Sequence, residues 1–222
     1  MKLLKNEWPQ LLVLAVPFCA AALFWNKLPE RMPIHWDAQW QVNGYAGKAF
    51  ATLFLPCLNI GMAALIGLLP LIDPKLRKSD EATRASLWRT TRAIRLAITS
   101  FLSLTALAVL AVSLRVPINM GMLMEIVIAL LFMLTGNFLT KLRPNYFFGI
   151  RTPWTLESPQ VWMKTHRLAG HLMVAGGLLL LALSFIVPAT YYFYYVFGPV
   201  LILMLLPPVV YSYLWYKAEK GA

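Results

Sequence analysis

Six stretches of this 222-residue sequence are long apolar runs, at roughly 9–26, 50–72, 95–114, 120–140, 168–187 and 192–214. About 20 apolar residues suffice to cross a bilayer as a helix, so each stretch reads as one span. A soluble domain of this size cannot bury so much apolar surface: 59% of the residues are hydrophobic, 13% are charged, and the mean hydropathy is +0.65. The expected fold class is therefore an all-α membrane protein, a six-transmembrane helical bundle forming one integral membrane domain over 1–222. The first stretch starts like a signal peptide, with Lys2 and Lys5 before an apolar core. Its apolar run continues through Leu23, Phe24 and Trp25, which points to a retained span. Pro17, Pro56, Pro70, Pro199, Pro207 and Pro208 lie in or at the ends of spans and imply kinks that neighbouring helices must satisfy.

The net charge is +11. No nucleic-acid recognition motif accompanies it, so direct nucleic-acid binding is not expected. The charge follows the loops instead. Sixteen of the twenty Lys and Arg residues fall at the two termini and in the segments 73–95 and 141–167; four, Lys27, Arg31, Lys48 and Arg115, fall on the other side. Basic residues collect in cytoplasmic loops, which places both termini in the cytoplasm. The loop 141–167 is then cytoplasmic and the loop 27–49 faces outward. From Ser79, read as a cap, the 73–95 segment looks helical. Its basic residues suit an anionic lipid surface, and Arg84, Arg89 and Arg92 also offer a docking surface for a cytosolic partner.

In the outer loop, Met32, Ile34, Trp36, Ala38, Trp40 and Val42 alternate with polar residues and Pro33, the period of a half-buried strand. Asn43-Gly44 is a turn signal. Such a strand either rests its tryptophans at headgroup level or receives a peptide by strand addition. Pro33, His35, Trp36 and Trp40 are the candidate contacts in the second case. His35 and Asp37 would share a strand face, but two ligands are too few for a metal site.

Ionisable groups inside a membrane are costly and hence functional candidates. Glu125 is the acidic residue within the predicted spans: it is buried in the fourth, with Arg115 nearest in sequence, or it reaches the headgroups if that span starts one turn later. Asn59 and Asn137 read as hydrogen bonds between helices. Cys19 and Cys57 read as small buried hydrophobes. The aromatic run Tyr191–Tyr195 reads as an interfacial belt. The signatures of zinc proteases, serine hydrolases and phosphate-binding loops are absent from the sequence, so no enzyme, metal or cofactor is expected.

The most distinctive stretch is NYFFGIRTPWTLESPQVWMKTHRLAGH, residues 145–171. Ser158-Pro159 is a helix start, since Ser caps free N–H groups and Pro is tolerated at the first helical position. On that helix Trp162, His166, Ala169 and Met173 share a face. His166 and His171, five apart, do not. Arg151 reads as an anion or partner contact, as a salt bridge to Glu157, or as a cap on helix carbonyls. The run from Gly149 to Gly170 resembles the signature of SdpI-type membrane proteins, in which Gly-x-Arg-Thr-Pro-Trp precedes a Trp-x-x-x-His pair. Residues 28–48 resemble the N-terminal region often found with it. The resemblance raises Asn145, Gly149, Arg151, Thr152, Pro153, Trp154, Trp162 and His166 as motif residues. It implies an immunity protein, protecting its cell from a secreted, SdpC-like peptide toxin that collapses membrane energy. It also implies signalling, by recruiting a cytosolic transcriptional repressor to the membrane. A small-solute or ion transporter or channel is the competing class, and an intramembrane enzyme the third.

Overall fold

The computed structural model describes residues 7–221; the expected charges at Lys2 and Lys5 lie outside them. Six of its helices are long and apolar enough to cross a membrane. In chain order the elements are α1 (Trp8–Phe24), β1 (Arg31–Trp36), β2 (Val42–Gly47), α2 (Lys48–Ile72), α3 (Pro74–Arg77), α4 (Glu81–Ser113), α5 (Met120–Leu139), α6 (Pro153–Glu157), α7 (Pro159–Leu183), α8 (Ala189–Tyr192) and α9 (Gly198–Lys220). A π turn, Phe193–Phe197, joins α8 to α9. α4, α7 and α9 run well past the predicted spans at one end, whereas α1 and α5 stay close to theirs. At 1.5 Å per residue α4 measures about 50 Å, so one end projects well beyond a hydrocarbon core of about 30 Å. Asp80, not Ser79, caps it: the Asp80 carboxylate accepts from the Thr83 N–H, while Ser79 Oγ donates back to the Lys75 carbonyl.

Two clusters of contacts build the bundle. In the first, polar side chains join α1, α2 and α4. Asn59 Nδ2 donates to the Thr99 carbonyl and to Ser103 Oγ, both at 2.9 Å; Ser103 Oγ donates to the Val13 carbonyl, and Gln10 Nε2 to Thr99 Oγ1. Interhelical bonds of this kind contribute about 0.6–2 kcal/mol each in lipid. Asn59 is thus the link between helices that was expected. Asn137 is not: its side chain is exposed, because the face of α5 that meets α7 is made of small residues. Those residues form the second cluster. A Cβ on Gly136 would lie 2.8 Å from the Gly170 carbonyl oxygen, one on Gly170 would lie 2.6 Å from the Gly136 oxygen, and one on Gly177 would lie 2.8 Å from the Ala129 oxygen. Ala129 to Gly136 and Gly170 to Gly177 are both steps of seven, which keeps the small residues on one seam and lets the backbones touch.

Large apolar side chains such as Leu58, Leu65, Ile202, Leu203 and Leu206 remain exposed on the outer faces of the helices. That is unstable in water and ordinary in lipid. Cys19 and Cys57 are exposed there too, free rather than buried as expected.

The segment 27–49, expected to face outward, forms a two-stranded antiparallel hairpin on an otherwise helical chain. Its turn is not at Asn43-Gly44. Asp37 Oδ1 accepts from the Gln39 and Gln41 N–H groups, which closes the turn at residues 37–41, and Trp40 takes φ +62°. Asn43 and Gly44 lie in β2, where the register shifts opposite His35. Gly44 is required there, because a Cβ would fall 2.9 Å from His35 Cβ. Met32, fully buried, pins the hairpin to Ala21, Leu28, Ala51, Val109 and Leu110.

Candidate functional site

Two sites lie at opposite ends of the bundle. At the end where α1 begins and α9 finishes, the chain between α5 and α7 folds into a knot around Trp162 and His166, both essentially fully buried. Their rings stack with centroids 4.0 Å apart. Trp162 Nε1 donates to the Leu142 carbonyl at 2.9 Å. His166 Nδ1 lies 2.8 Å from the Trp162 carbonyl and can only donate there, so its Nε2 is the acceptor for the Ile150 N–H at 2.9 Å. This is one neutral tautomer with both nitrogens used. Gly149, at φ +95°, permits the approach: a Cβ would lie 2.1 Å from His166 Nε2.

The other motif residues hold the same knot. Asn145 Oδ1 accepts from the Phe147 and Phe148 N–H groups, and its Nδ2 donates to the Arg143 carbonyl. Thr152 and Thr155 form a reciprocal capping box that starts α6, a short helix, at Pro153. Trp154 Nε1 donates to Ser212 Oγ on α9, at 2.5 Å. Ser158 caps α7 as expected and also donates to Glu219. Arg151 is exposed and donates to the Tyr146 carbonyl at 2.6 Å. It does not pair with Glu157, which meets Lys220 at 2.8 Å and Tyr216 instead. Ala169 shares the buried face and Met173 is half-buried on it, while His171 points away, exposed.

Sequence reasoning missed Asp73, 1% exposed, whose two oxygens accept from Lys75 N, Leu76 N and Tyr146 N. It ties the α2–α4 connection to the motif. Asp before Pro74 is a helix-start signal that could have flagged it. The basic candidates differ in their surroundings. Arg84 and Arg89 are exposed, Arg89 beside Lys141 and Arg143 in a cavity of about 400 Å³. Arg92 and Arg95 both pair with Glu7.

At the opposite end the hairpin tip covers a second cavity, of about 330 Å³. Three of the four outer-loop candidates, His35, Trp36 and Trp40, line it, and Pro33 does not. Glu125 lines it from α5. Glu125 is 4% exposed, buried against the protein, and not ion-paired with Arg115, which is exposed. Trp40 lines the same cavity beside it, and Oε1 has no partner. Gly121 lets the Trp40 indole close down on α5, since a Cβ would fall 2.6 Å from Trp40 Cδ1. Tyr192, Phe193 and Phe197 complete the wall. The predicted belt is thus split: Tyr192 turns inward, its hydroxyl donating to the Leu180 carbonyl at 2.7 Å, while Tyr191, Tyr194 and Tyr195 stay exposed.

Residues 141–212, the knot with α7 and most of α9, match the SdpI/YfhL protein family. Residues 12–60, which contain the hairpin, match a domain of unknown function, DUF1648. The chain is similar to Immunity protein SdpI of Bacillus subtilis (strain 168), 22% identical over 182 residues, which is 82% of this chain and 83% of that protein. No solved structure matches it significantly. The match to the SdpI/YfhL family over the motif region, the matching N-terminal region and the six helices of membrane-crossing length together make this chain similar to SdpI-type membrane proteins.

Proposed function

We propose that this protein gives immunity to a secreted antimicrobial peptide toxin. The observation that carries the reading is the likeness to Immunity protein SdpI across most of both chains. The asymmetry of basic residues supports an orientation with both termini and the motif knot in the cytoplasm and the hairpin outside a bacterial membrane. The toxin meets the hairpin end, where His35, Trp36 and Trp40 surround a cavity. Pro33, buried in the strand ladder opposite Tyr45, lines a separate cavity beside Arg31 and Arg115. On the other side, exposed Arg84 and Arg89 suit either anionic lipid or a cytosolic repressor. A signal passes only if toxin and repressor both prefer the same packing of the bundle.

The test is the membrane potential of a toxin-sensitive bacterium expressing the chain and challenged with an SdpC-like peptide. Retained potential, against collapse in the empty-vector control, supports immunity, and Trp36→Ala with Trp40→Ala then removes protection at unchanged membrane abundance. Collapse despite confirmed insertion refutes immunity to that toxin. A transporter reading draws on the buried carboxyl of Glu125; solute flux in proteoliposomes, lost in Glu125→Gln, would establish it instead.

A further inference from the structure

We infer that the cavity under the hairpin tip is a binding site for an organic cation, an ammonium group carried on an apolar or aromatic body such as a peptide side chain or N-terminus. This deepens the reading of the hairpin end as the toxin-facing site.

Three features of the cavity carry the inference. The first is charge: Asp37 and Glu125 both line it, and no Lys or Arg does among the described residues. The second is an unmet hydrogen bond. Glu125 is 96% buried by its 4% exposure, and its Oε1 has no donor. A buried polar atom left so is destabilising, and a ligand that donates to it recovers the loss. An anion cannot donate, whereas an ammonium offers three N–H groups and the opposite charge. The third is the wall. Trp36, Trp40, Tyr192, Phe193 and Phe197 supply aromatic rings around the two carboxylates, and ring faces attract cations that shed their water easily. A bare metal ion is a poor fit, since no group of three metal-ligating side chains occurs among the described residues. The apolar wall also suits a ligand with a hydrocarbon body.

The chain is shaped to hold this arrangement. Trp40 takes a left-handed backbone that a bulky residue rarely adopts, and Gly121 leaves room for its indole beside Glu125. The π turn at Phe193–Phe197 brings Phe193 and Phe197 to the same cavity, and such turns insert where a helix must redirect side chains.

The experiment uses the purified full-length chain in detergent micelles. Tryptophan fluorescence and titration calorimetry follow benzylammonium, with benzyl alcohol and benzoate as neutral and anionic analogues of the same body. The expected result is saturable binding of benzylammonium, about tenfold tighter than benzyl alcohol, or roughly 1.4 kcal/mol, with no binding of benzoate. Glu125→Gln weakens it about tenfold, and Asp37→Asn, tested beside it in case the first variant misfolds, weakens it less. Equal binding of the three analogues, wild-type affinity in a folded Glu125→Gln, or no saturable benzylammonium binding would each overturn the inference. Because no toxin is involved, the two readings fail separately. Cation binding in a chain that gives no protection leaves the site standing and removes the toxin; protection without cation binding does the reverse.

Discussion

Replacing Gly149 by Ala tests whether the motif is a packed knot. Gly149 has φ +95°, and its added Cβ would sit 2.1 Å from His166 Nε2 and 2.9 Å from Leu142 Cδ2. The left-handed backbone costs a side chain about 1–2 kcal/mol. His166 cannot yield without breaking its bond from the Ile150 N–H or sliding off Trp162, and a stranded buried donor costs about 1–3 kcal/mol. Together these come to about 3 kcal/mol. For a chain of this length that lowers the melting temperature by roughly 10 °C. Thermal unfolding in detergent, read by tryptophan fluorescence, measures it. Gly47→Ala is the control, because nothing lies within 4 Å of its added Cβ, and it should melt like the parent. A Gly149→Ala protein within about 2 °C of the parent would refute the packing argument and leave the Gly149–His166 approach without a structural role.

Trp162→Phe keeps a ring against His166 but strands the Leu142 carbonyl; it should destabilise by about 1–2 kcal/mol, as denaturant titration would show. Gly170→Leu should separate α5 from α7, because even a Cβ there falls 2.6 Å from the Gly136 oxygen, and crosslinking yield between cysteines placed on the two helices should fall. The Glu157 carboxyl is held below its ordinary 4.5 by its bonds from Lys220 and then Tyr216. A depressed carboxyl contributes stability that is fully present above the unfolded value and is lost as pH falls through the folded one. Below about pH 4.5 the end of α9 should therefore loosen from α6, with faster proteolysis at Lys217 and Lys220. Glu157→Gln should remove that pH dependence, and an unchanged profile would show that other contacts hold the helix end.

The spans, the start of α7 at Ser158-Pro159 and the shared face of Trp162, His166 and Ala169 were legible in the sequence, because they depend on neighbours along one helix. Residues three and four apart meet on a helix whatever surrounds them. The 20-residue apolar runs likewise need only the thickness of a bilayer to be understood. The SdpI-type motif was legible too, as a string of residues. Its purpose was not. That Gly149 must be glycine because of His166, that Trp154 reaches Ser212 on α9, and that Asp73 clasps Tyr146 all depend on segments far apart in the chain.

The same division explains the corrections. Asn43-Gly44 has the composition of a turn, yet the turn forms four residues earlier, where Asp37 can bind two N–H groups and Trp40 can close on Gly121. Asn137 has the chemistry of a link between helices, but it faces away from the glycine seam of α5 and α7. Glu125 could be judged only by what surrounds it. Six apolar helices of membrane-crossing length, a distinctive motif loop and a hairpin between the first two are written into the amino-acid order, because hydropathy and local backbone preference act over a few turns. Tertiary structure alone decided which polar groups are buried, which are paired, and that Glu125, Trp40 and Tyr192 meet in one cavity, because desolvation and hydrogen bonding depend on partners brought from distant spans.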